Sequence, residues 1–228
     1  VETPIQRLTY AEAMGRFGSD KPDMRFGFEL RDISDLVKES GFTPFVAAIE
    51  NGGSVQAINF NEVGGKMSRK EIDSLGEYVK TYRAKGLAWA KVTKDGVTSS
   101  FAKNMPAEIM TAIYERMNIK EGDLLAIIAH EDTETAQNAL GALRCEVARR
   151  QNLISTDDFK FVWVTDFPLL EKGEDDDGKE RFYAKHHPFT SPRDEDIPLF
   201  ETAPEKMMAK AYDIVCNGYE MGGGSIRI

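Results

Sequence analysis

The chain has 228 residues, of which 41% are hydrophobic and 29% charged, a balance typical of a globular protein. No apolar run approaches the ~20 residues needed to cross a bilayer, and the N-terminus lacks a basic region followed by an apolar core, so we expect neither a membrane span nor a secretory signal. The formal net charge of −9 argues against a protein that binds nucleic acid non-specifically through a basic surface, while local contacts remain allowed.

The length is that of one large or two ordinary domains, and we favour two. Cys145 and Cys216 are predicted to lie in different domains, which favours reduced thiols of a cytosolic protein over a disulfide framework.

The first predicted element is a helix from Tyr10 to Phe17, with Thr9 and Glu12 at the spacing of a capping box. Glycine and proline after it predict a loop over residues 18–23.

From Phe26 to about Leu153 the apolar pattern alternates between strand-like and helix-like segments. Predicted strands are Phe45–Ile49, Val55–Phe60, Leu87–Val92 and Leu124–Ala129. Predicted helices are Ser68–Ala84, Pro106–Met117 and Thr133–Arg150. The pattern indicates an α+β domain with its own core.

The remaining segment begins with an aromatic and β-branched run, Phe159–Leu170, which predicts a mostly buried strand. The acidic stretch of residues 173–178 is interpreted as a hairpin tip, because the alternating ligands and distal glutamate of a calcium loop are absent. Arg181–Lys185 is predicted to be the returning strand, and a helix is predicted from Pro204 to about Lys210.

Asn217-Gly218 between two alternating runs predicts a β-hairpin with a two-residue type I′ turn. Opposed residues share a sheet face, so Asp213 and Glu220 are expected on one face as diagonal neighbours about 7–8 Å apart. The other face is expected to be apolar and packed, and is predicted to carry Ile214, Cys216, Tyr219 and Met221.

Convergent carboxylates without a neighbouring base favour a hard cation such as Mg²⁺, held together with substrate phosphates. The alternative is a pair of solvated acids on an exposed sheet face. One bulged residue within Gly222-Gly223-Gly224 would turn Ser225 and Arg227 toward the carboxylates and Ile226 and Ile228 inward. Arg227 would then suit a carboxylate or phosphate ligand, or form a salt bridge with Glu220 or Asp213.

His186 and His187 follow a predicted strand, where adjacent side chains point to opposite faces, so joint binding of one metal ion is disfavoured. One histidine could face a ligand cleft while the other packs or bonds to backbone. His130 ends an apolar run and is interpreted as structural.

Four segments in this order and spacing resemble bacterial aspartyl-tRNA synthetases. They are Gly18-Ser19-Asp20-Lys21-Pro22-Asp23, residues 161–168 (FVWVTDFP), His186-His187-Pro188-Phe189-Thr190, and residues 217–227 (NGYEMGGGSIR). The resemblance implies residues 1–25 and 154–228 as segments of a class II catalytic core, and residues 26–153 as the family's inserted GAD domain.

The resemblance further implies ATP-dependent activation of L-aspartate to aspartyl-adenylate and transfer to tRNA, in a cytoplasmic homodimer. It implies that His186 and Arg227 bind L-aspartate, that Glu220 binds ATP, and that Asp213 and Glu220 bind Mg²⁺. Electrostatic stabilisation rather than a protein nucleophile would drive the reaction.

The family's anticodon-binding barrel and three class-defining motifs have no counterpart in this sequence. We therefore expect a piece of a longer chain with little aminoacylation activity of its own. A stand-alone tRNA- or protein-binding module built on the GAD-like domain is the alternative, and a scaffold without any ligand is a third.

Overall fold

The computed structural model describes residues 3–228, and these form two compact units. Unit 1 comprises residues up to 13, 20–25 and 158–228, and unit 2 comprises residues 14–19 and 26–157. Helices and strands occur in both units, and the predicted α+β class is confirmed. None of the helices described is both long and apolar enough to cross a membrane.

The strands, in chain order, are β1 Gln6–Thr9, β2 Leu30–Asp32, β3 Ser54–Phe60, β4 Ala88–Thr93, β5 Gly96–Ser99, β6 Leu124–His130, β7 Phe161–Thr165, β8 Leu170–Glu174, β9 Glu180–Ala184, β10 Ala211–Cys216 and β11 Tyr219–Ser225. The α-helices are α1 Tyr10–Phe17, α2 Ser34–Val37, α3 Thr43–Glu50, α4 Arg69–Lys80, α5 Ala107–Arg116 and α6 Thr133–Arg150. Short 3₁₀ segments occupy Gly64–Lys66, Ala102–Asn104, Asp194–Glu201 and Pro204–Lys206.

Unit 1 is built on a four-stranded sheet of order β1-β7-β10-β11. β10 is antiparallel to both of its neighbours, β7 and β11, whereas β1 is parallel to β7. The separate hairpin of β8 and β9 confirms the predicted acidic tip and returning strand. β10 therefore lies inside the sheet, with its backbone paired to a strand on either side.

Unit 2 is built on a five-stranded sheet of order β2-β3-β6-β4-β5, whose strand pairs are antiparallel. One face packs against α4 and α6, and the other against α2, α3 and α5, so two apolar cores sandwich the sheet. The interior strand β3 is buried along its whole length, as expected for a strand covered on both faces.

The predicted capping box begins α1, and a second capping box begins α4. The Thr9 N–H donates to Glu12 Oε2 at 2.8 Å, and the Glu12 N–H donates to Thr9 Oγ1 at 3.1 Å. The corresponding bonds join Ser68 and Glu71 at the start of α4 at 2.7 and 3.3 Å. These reciprocal bonds satisfy backbone donors that a helix start otherwise leaves free.

Two sequence-based predictions of secondary structure are wrong, and a third, the strand Phe159–Leu170, is confirmed only as the shorter β7. Phe45–Ile49 belongs to helix α3 rather than to a strand, because Pro44 occupies its first turn and Phe45 and Ala48 share its buried side. Pro204–Lys210 forms only a 3₁₀ turn, after which Met208 and Ala209 pair with extended backbone. β7 ends at Thr165 because Asp166 adopts a positive φ of 61°.

Gly141 of α6 lies against the turn that ends α1. A Cβ added at Gly141 would lie 2.3 Å from the Gly18 carbonyl oxygen, and Gly18 itself has φ +64°. We expect Gly141→Ala to lower the unfolding free energy of unit 2 by about 1–3 kcal/mol, because this backbone contact outweighs the helix propensity of alanine.

The matched control for Gly141→Ala is Gly76→Ala in α4, where an added Cβ would meet only Leu87 Cβ at 4.0 Å. This variant should gain about 1 kcal/mol from helix propensity. Urea unfolding measures both substitutions, and a Gly141→Ala protein as stable as the parent would contradict the close packing.

Candidate functional site

The hairpin of β10 and β11 has the predicted two-residue turn. Asn217 and Gly218 have φ values of 55° and 88°, the positive pair that a type I′ turn requires. The Asn217 side chain also fixes the turn, since its Oδ1 accepts from the Lys160 N–H at 3.0 Å and its Nδ2 donates to the Asp158 carbonyl at 2.7 Å.

The hairpin contains one bulge, but it lies before the three glycines rather than within them. Val215 pairs with Glu220, whereas Ile214 pairs with Gly222 and Asp213 with Gly223, so Met221 is the extra residue. Glu220 opposes Val215, two residues from Asp213, and both carboxylates therefore occupy one face of the hairpin, as expected.

The exposure of side chains on the two faces of the hairpin differs from the prediction made from the sequence. Asp213 is only 2% exposed, so it is not a solvated acid on an open sheet face. The opposite face is packed only in part: Cys216 is buried and Ile214 half-buried, but Tyr219 and Met221 are exposed, and Ile226 and Ile228 are exposed rather than inward. Within residues 3–228 no element covers these apolar side chains, whereas Asp213 lies on the interior strand β10.

Asp213 Oδ1 is the most unusual atom of this face, because it is buried without a hydrogen-bond partner among the described residues. His186 Nε2 lies 3.9 Å from it. Across the hairpin, a Cβ on Gly223 would lie 2.1 Å from this oxygen, so only glycine leaves room for the carboxylate there. An unsatisfied buried acceptor of this kind indicates a place for a ligand.

Burial raises the pKa of Asp213, and the charge of Glu220 raises it further, while His186 and Lys21 oppose the rise. Ionising the buried carboxylate therefore costs free energy, and a bound cation would reduce that cost.

Asp213 lines a cavity of about 290 Å³ in unit 1. The cavity is formed by Asp20, Lys21, Phe167, Lys185, His186, Asp213 and Glu220. The structure thus brings together three of the residues proposed from the sequence, His186, Asp213 and Glu220. Acidic and basic groups share one small space, as suits a ligand that carries both charges.

The adjacent histidines separate as their alternation predicts. His186 faces the cavity with its ring 4.7 Å from that of Phe167, whereas His187 Nδ1 accepts from the Phe189 N–H at 3.1 Å. His130 also has a structural partner, since its Nδ1 accepts from the Asp132 N–H at 3.0 Å.

Arg227 does not line this cavity. It is exposed, its backbone bridges to Thr190, and within the described residues its guanidinium forms no ion pair, so the alternative of a salt bridge to Glu220 or Asp213 is wrong. The Thr190 hydroxyl donates to Ser225 Oγ at 3.4 Å, and Ser225 pairs with Ala211, two residues from Asp213. Arg227 therefore lies at the edge of the hairpin face that carries the two carboxylates.

Lys21 is the site residue that the sequence reasoning missed. Its Nζ lies 3.1 Å from Glu220 Oε2, and this bond raises the pKa of Lys21 despite opposing burial. The only signal in the sequence was its position in the 18–23 loop, one of the four segments that carry the family resemblance. Because the loop and Glu220 are almost 200 residues apart in the sequence, local sequence patterns could not predict their contact.

The donor set suits Mg²⁺ better than zinc. No group of three or more His, Cys, Asp or Glu side chains arranged for a metal occurs in residues 3–228. Mg²⁺ is commonly held by one or two carboxylates with substrate phosphates and water completing its shell, and the orphan oxygen of Asp213 beside Glu220 fits that role.

Comparison with known proteins places the whole chain in one family. Residues 1–228 match the family model described as tRNA synthetases class II (D, K and N). The chain is 53% identical over 229 residues to the aspartate–tRNA ligase of Ruminiclostridium cellulolyticum. It is 53% and 50% identical over 229 and 228 residues to the aspartate–tRNA(Asp/Asn) ligases of Lachnoclostridium phytofermentans and a Geobacillus species. Each alignment covers 100% of this chain and 38% of the relative.

Proposed function

We propose that this chain, which belongs to the class II tRNA synthetases of the D, K and N group, forms part of the substrate pocket of an aspartate–tRNA ligase. Membership of that family confirms the resemblance found in the sequence. The observation that carries the proposal is the buried, unsatisfied Asp213 carboxylate beside Glu220 and His186 in one cavity. The 53% identity to a named aspartate–tRNA ligase supports the choice of amino acid.

In this proposal the reaction is ATP-dependent activation of L-aspartate, followed by transfer of the aspartyl group to tRNA. Mg²⁺ would neutralise phosphate charge, held by Asp213 and Glu220, with Glu220 also contacting ATP. His186 faces the cavity in a position to contact aspartate. Arg227, at the edge of the carboxylate face, would pair with the aspartate side chain through a bidentate guanidinium contact.

The remaining assignments follow from the same family membership. Residues 1–25 and 154–228 would belong to the catalytic core, and residues 26–153, which largely coincide with unit 2, to the inserted GAD domain. The complete protein is proposed to act as a cytoplasmic homodimer. The alternative of a stand-alone binding module finds no support among the relatives.

A segment exchange tests the proposal, because the chain aligns end to end with a defined part of its relatives. These 228 residues would replace the matching segment of the Ruminiclostridium cellulolyticum ligase. The chimera should catalyse aspartate-dependent exchange of pyrophosphate into ATP. Glu220→Gln in the chimera should reduce that exchange by at least about 100-fold, as for loss of a group that stabilises transition-state charge.

Glu180→Gln is the matched control, because Glu180 pairs with Lys172 on the separate β8–β9 hairpin. It should leave the exchange rate unchanged. A folded chimera that exchanges pyrophosphate equally with and without Glu220, or that does so without aspartate, would contradict the assignment.

A further inference from the structure

The end of the loop of residues 18–23 lies against the turn of the β10–β11 hairpin. A Cβ on Gly218 would lie 3.6 Å from Asp23 Cβ and 3.9 Å from the Lys21 carbonyl oxygen, so loop and turn are in close contact. Asp23 is buried, and its carboxylate accepts from the Arg25 guanidinium at 2.6 and 3.0 Å and from the Arg25 N–H at 3.0 Å. The backbone of Lys21 is therefore fixed beside the strand that carries Glu220.

The Lys21 side chain is held far less firmly than its backbone. Its ammonium lies 3.1 Å from Glu220, but both side chains are about 40% exposed, at 41% and 40%. Ion pairs with this exposure are weak and exchange readily with solvent ions. A fixed backbone with a flexible four-carbon arm allows the ammonium to leave Glu220 without disturbing the loop.

From these contacts, and resting on the metal site of the proposed function, we propose that Lys21 is a positioning residue that serves as the counter-ion of Glu220 and Asp213 and gives way to Mg²⁺. The ammonium holds Glu220 toward the cavity and offsets the repulsion between the two carboxylates. Divalent cation and ammonium compete for the same oxygen, Glu220 Oε2.

This exchange favours a particular kind of ligand. When Mg²⁺ arrives alone, it must displace the ammonium from Glu220, and the energy of that ion pair is lost. When Mg²⁺ arrives with an anionic substrate group, such as a phosphate, the displaced ammonium can pair with that group. The pair of carboxylates is thus set to take up the metal together with an anionic ligand.

The test uses the 228-residue chain and Mn²⁺ alone, with the free ion counted by electron paramagnetic resonance. Lys21→Met removes the competing cation and should tighten Mn²⁺ binding about threefold to tenfold, the range set by a weak exposed ion pair. Lys21→Arg keeps the competing charge and should bind Mn²⁺ as the parent does. Damage to the fold would weaken binding, so a tighter complex is a specific signature.

Lys185→Met is the matched control, because Lys185 lines the same cavity but has Glu171 at 3.8 Å and the Tyr10 ring at 4.9 Å as partners. Its Mn²⁺ affinity should change less than twofold. Equal affinity in folded Lys21→Met and parent chains would overturn the exchange while leaving the metal site intact. Mn²⁺ binding that is absent, or unaffected by Glu220→Gln, would overturn the metal site itself and the exchange with it.

Discussion

Replacing Arg144 with methionine is expected to destabilise unit 2 by about 3 kcal/mol, since buried carbonyl groups would lose their charged donor. Arg144 is 1% exposed, although it lies on helix α6 and is ionised. Its guanidinium donates to the carbonyl oxygens of Phe26, Gly27 and Phe28 at distances of 2.7 to 3.2 Å. Methionine keeps most of the side-chain volume but supplies no donor.

Aromatic stacking adds to the role of Arg144. The guanidinium carbon lies 4.1 Å from the ring centroid of Phe26 and 5.0 Å from that of Phe17. Arg144 thus ties two separate segments, the end of α1 and the irregular stretch before β2, to one helix. Lysine should rescue only part of the loss, because an ammonium cannot match the planar fork.

The control is Arg149→Met on the same helix, since Arg149 is 67% exposed and, among residues 3–228, its ion pair is with Glu146. It should cost less than about 0.5 kcal/mol. In variants that retain a single tryptophan, urea unfolding can be followed separately in each unit, because Trp89 lies in unit 2 and Trp163 in unit 1. Equal midpoints for the Arg144 and Arg149 variants in the Trp89 signal would refute the structural role of Arg144.

Local sequence signals predicted the elements whose structure depends on neighbouring residues. The capping boxes, the Asn217-Gly218 turn and the long helix α6 all depend on side chains within a few positions of each other. The segment Phe45–Ile49 failed because an apolar run of that length is compatible with a strand or a buried helix, and the preceding Pro44 was the signal that decided it.

Only those features of the candidate site that follow from the alternation of side chains along a strand could be predicted. Alternation placed Asp213 and Glu220 on one face, but it could not show that β10 is an interior strand, on which Asp213 becomes buried. The bulge at Met221 shifted the register before the glycines, where sequence offered no distinguishing signal. Lys21 was missed because its contact with Glu220 is made by the tertiary fold.

Asp213→Asn is expected to have two opposite effects in unit 1. Metal binding should be lost, with Mn²⁺ affinity falling at least about 100-fold, because the buried oxygen that would reach the ion loses its charge. Stability without metal should instead rise by about 1 kcal/mol at neutral pH, as for other substitutions that relieve a strained functional site. The carboxylate is buried with one oxygen unsatisfied, and an amide removes the charge at nearly constant shape.

The pH dependence of this gain follows from the raised pKa of Asp213, caused first by burial and then by Glu220. In the unfolded chain the group loses its proton near its ordinary pKa of about 4. The folded protein holds the proton to higher pH, so the parent loses stability as pH rises from about 4 through the folded pKa. The advantage of Asp213→Asn should therefore grow as pH rises above about 4 and disappear below that pH.

Urea unfolding of unit 1, followed by Trp163 between pH 3.5 and 8, measures this difference. Asp176→Asn is the matched control, because it removes the same charge from the exposed tip of the β8–β9 hairpin. It should show no such pH-dependent gain. A loss of stability in Asp213→Asn at neutral pH would mean that the ionised carboxylate stabilises the fold. Asp213 would then have a structural role, instead of lowering the stability of the hairpin in order to bind a cation.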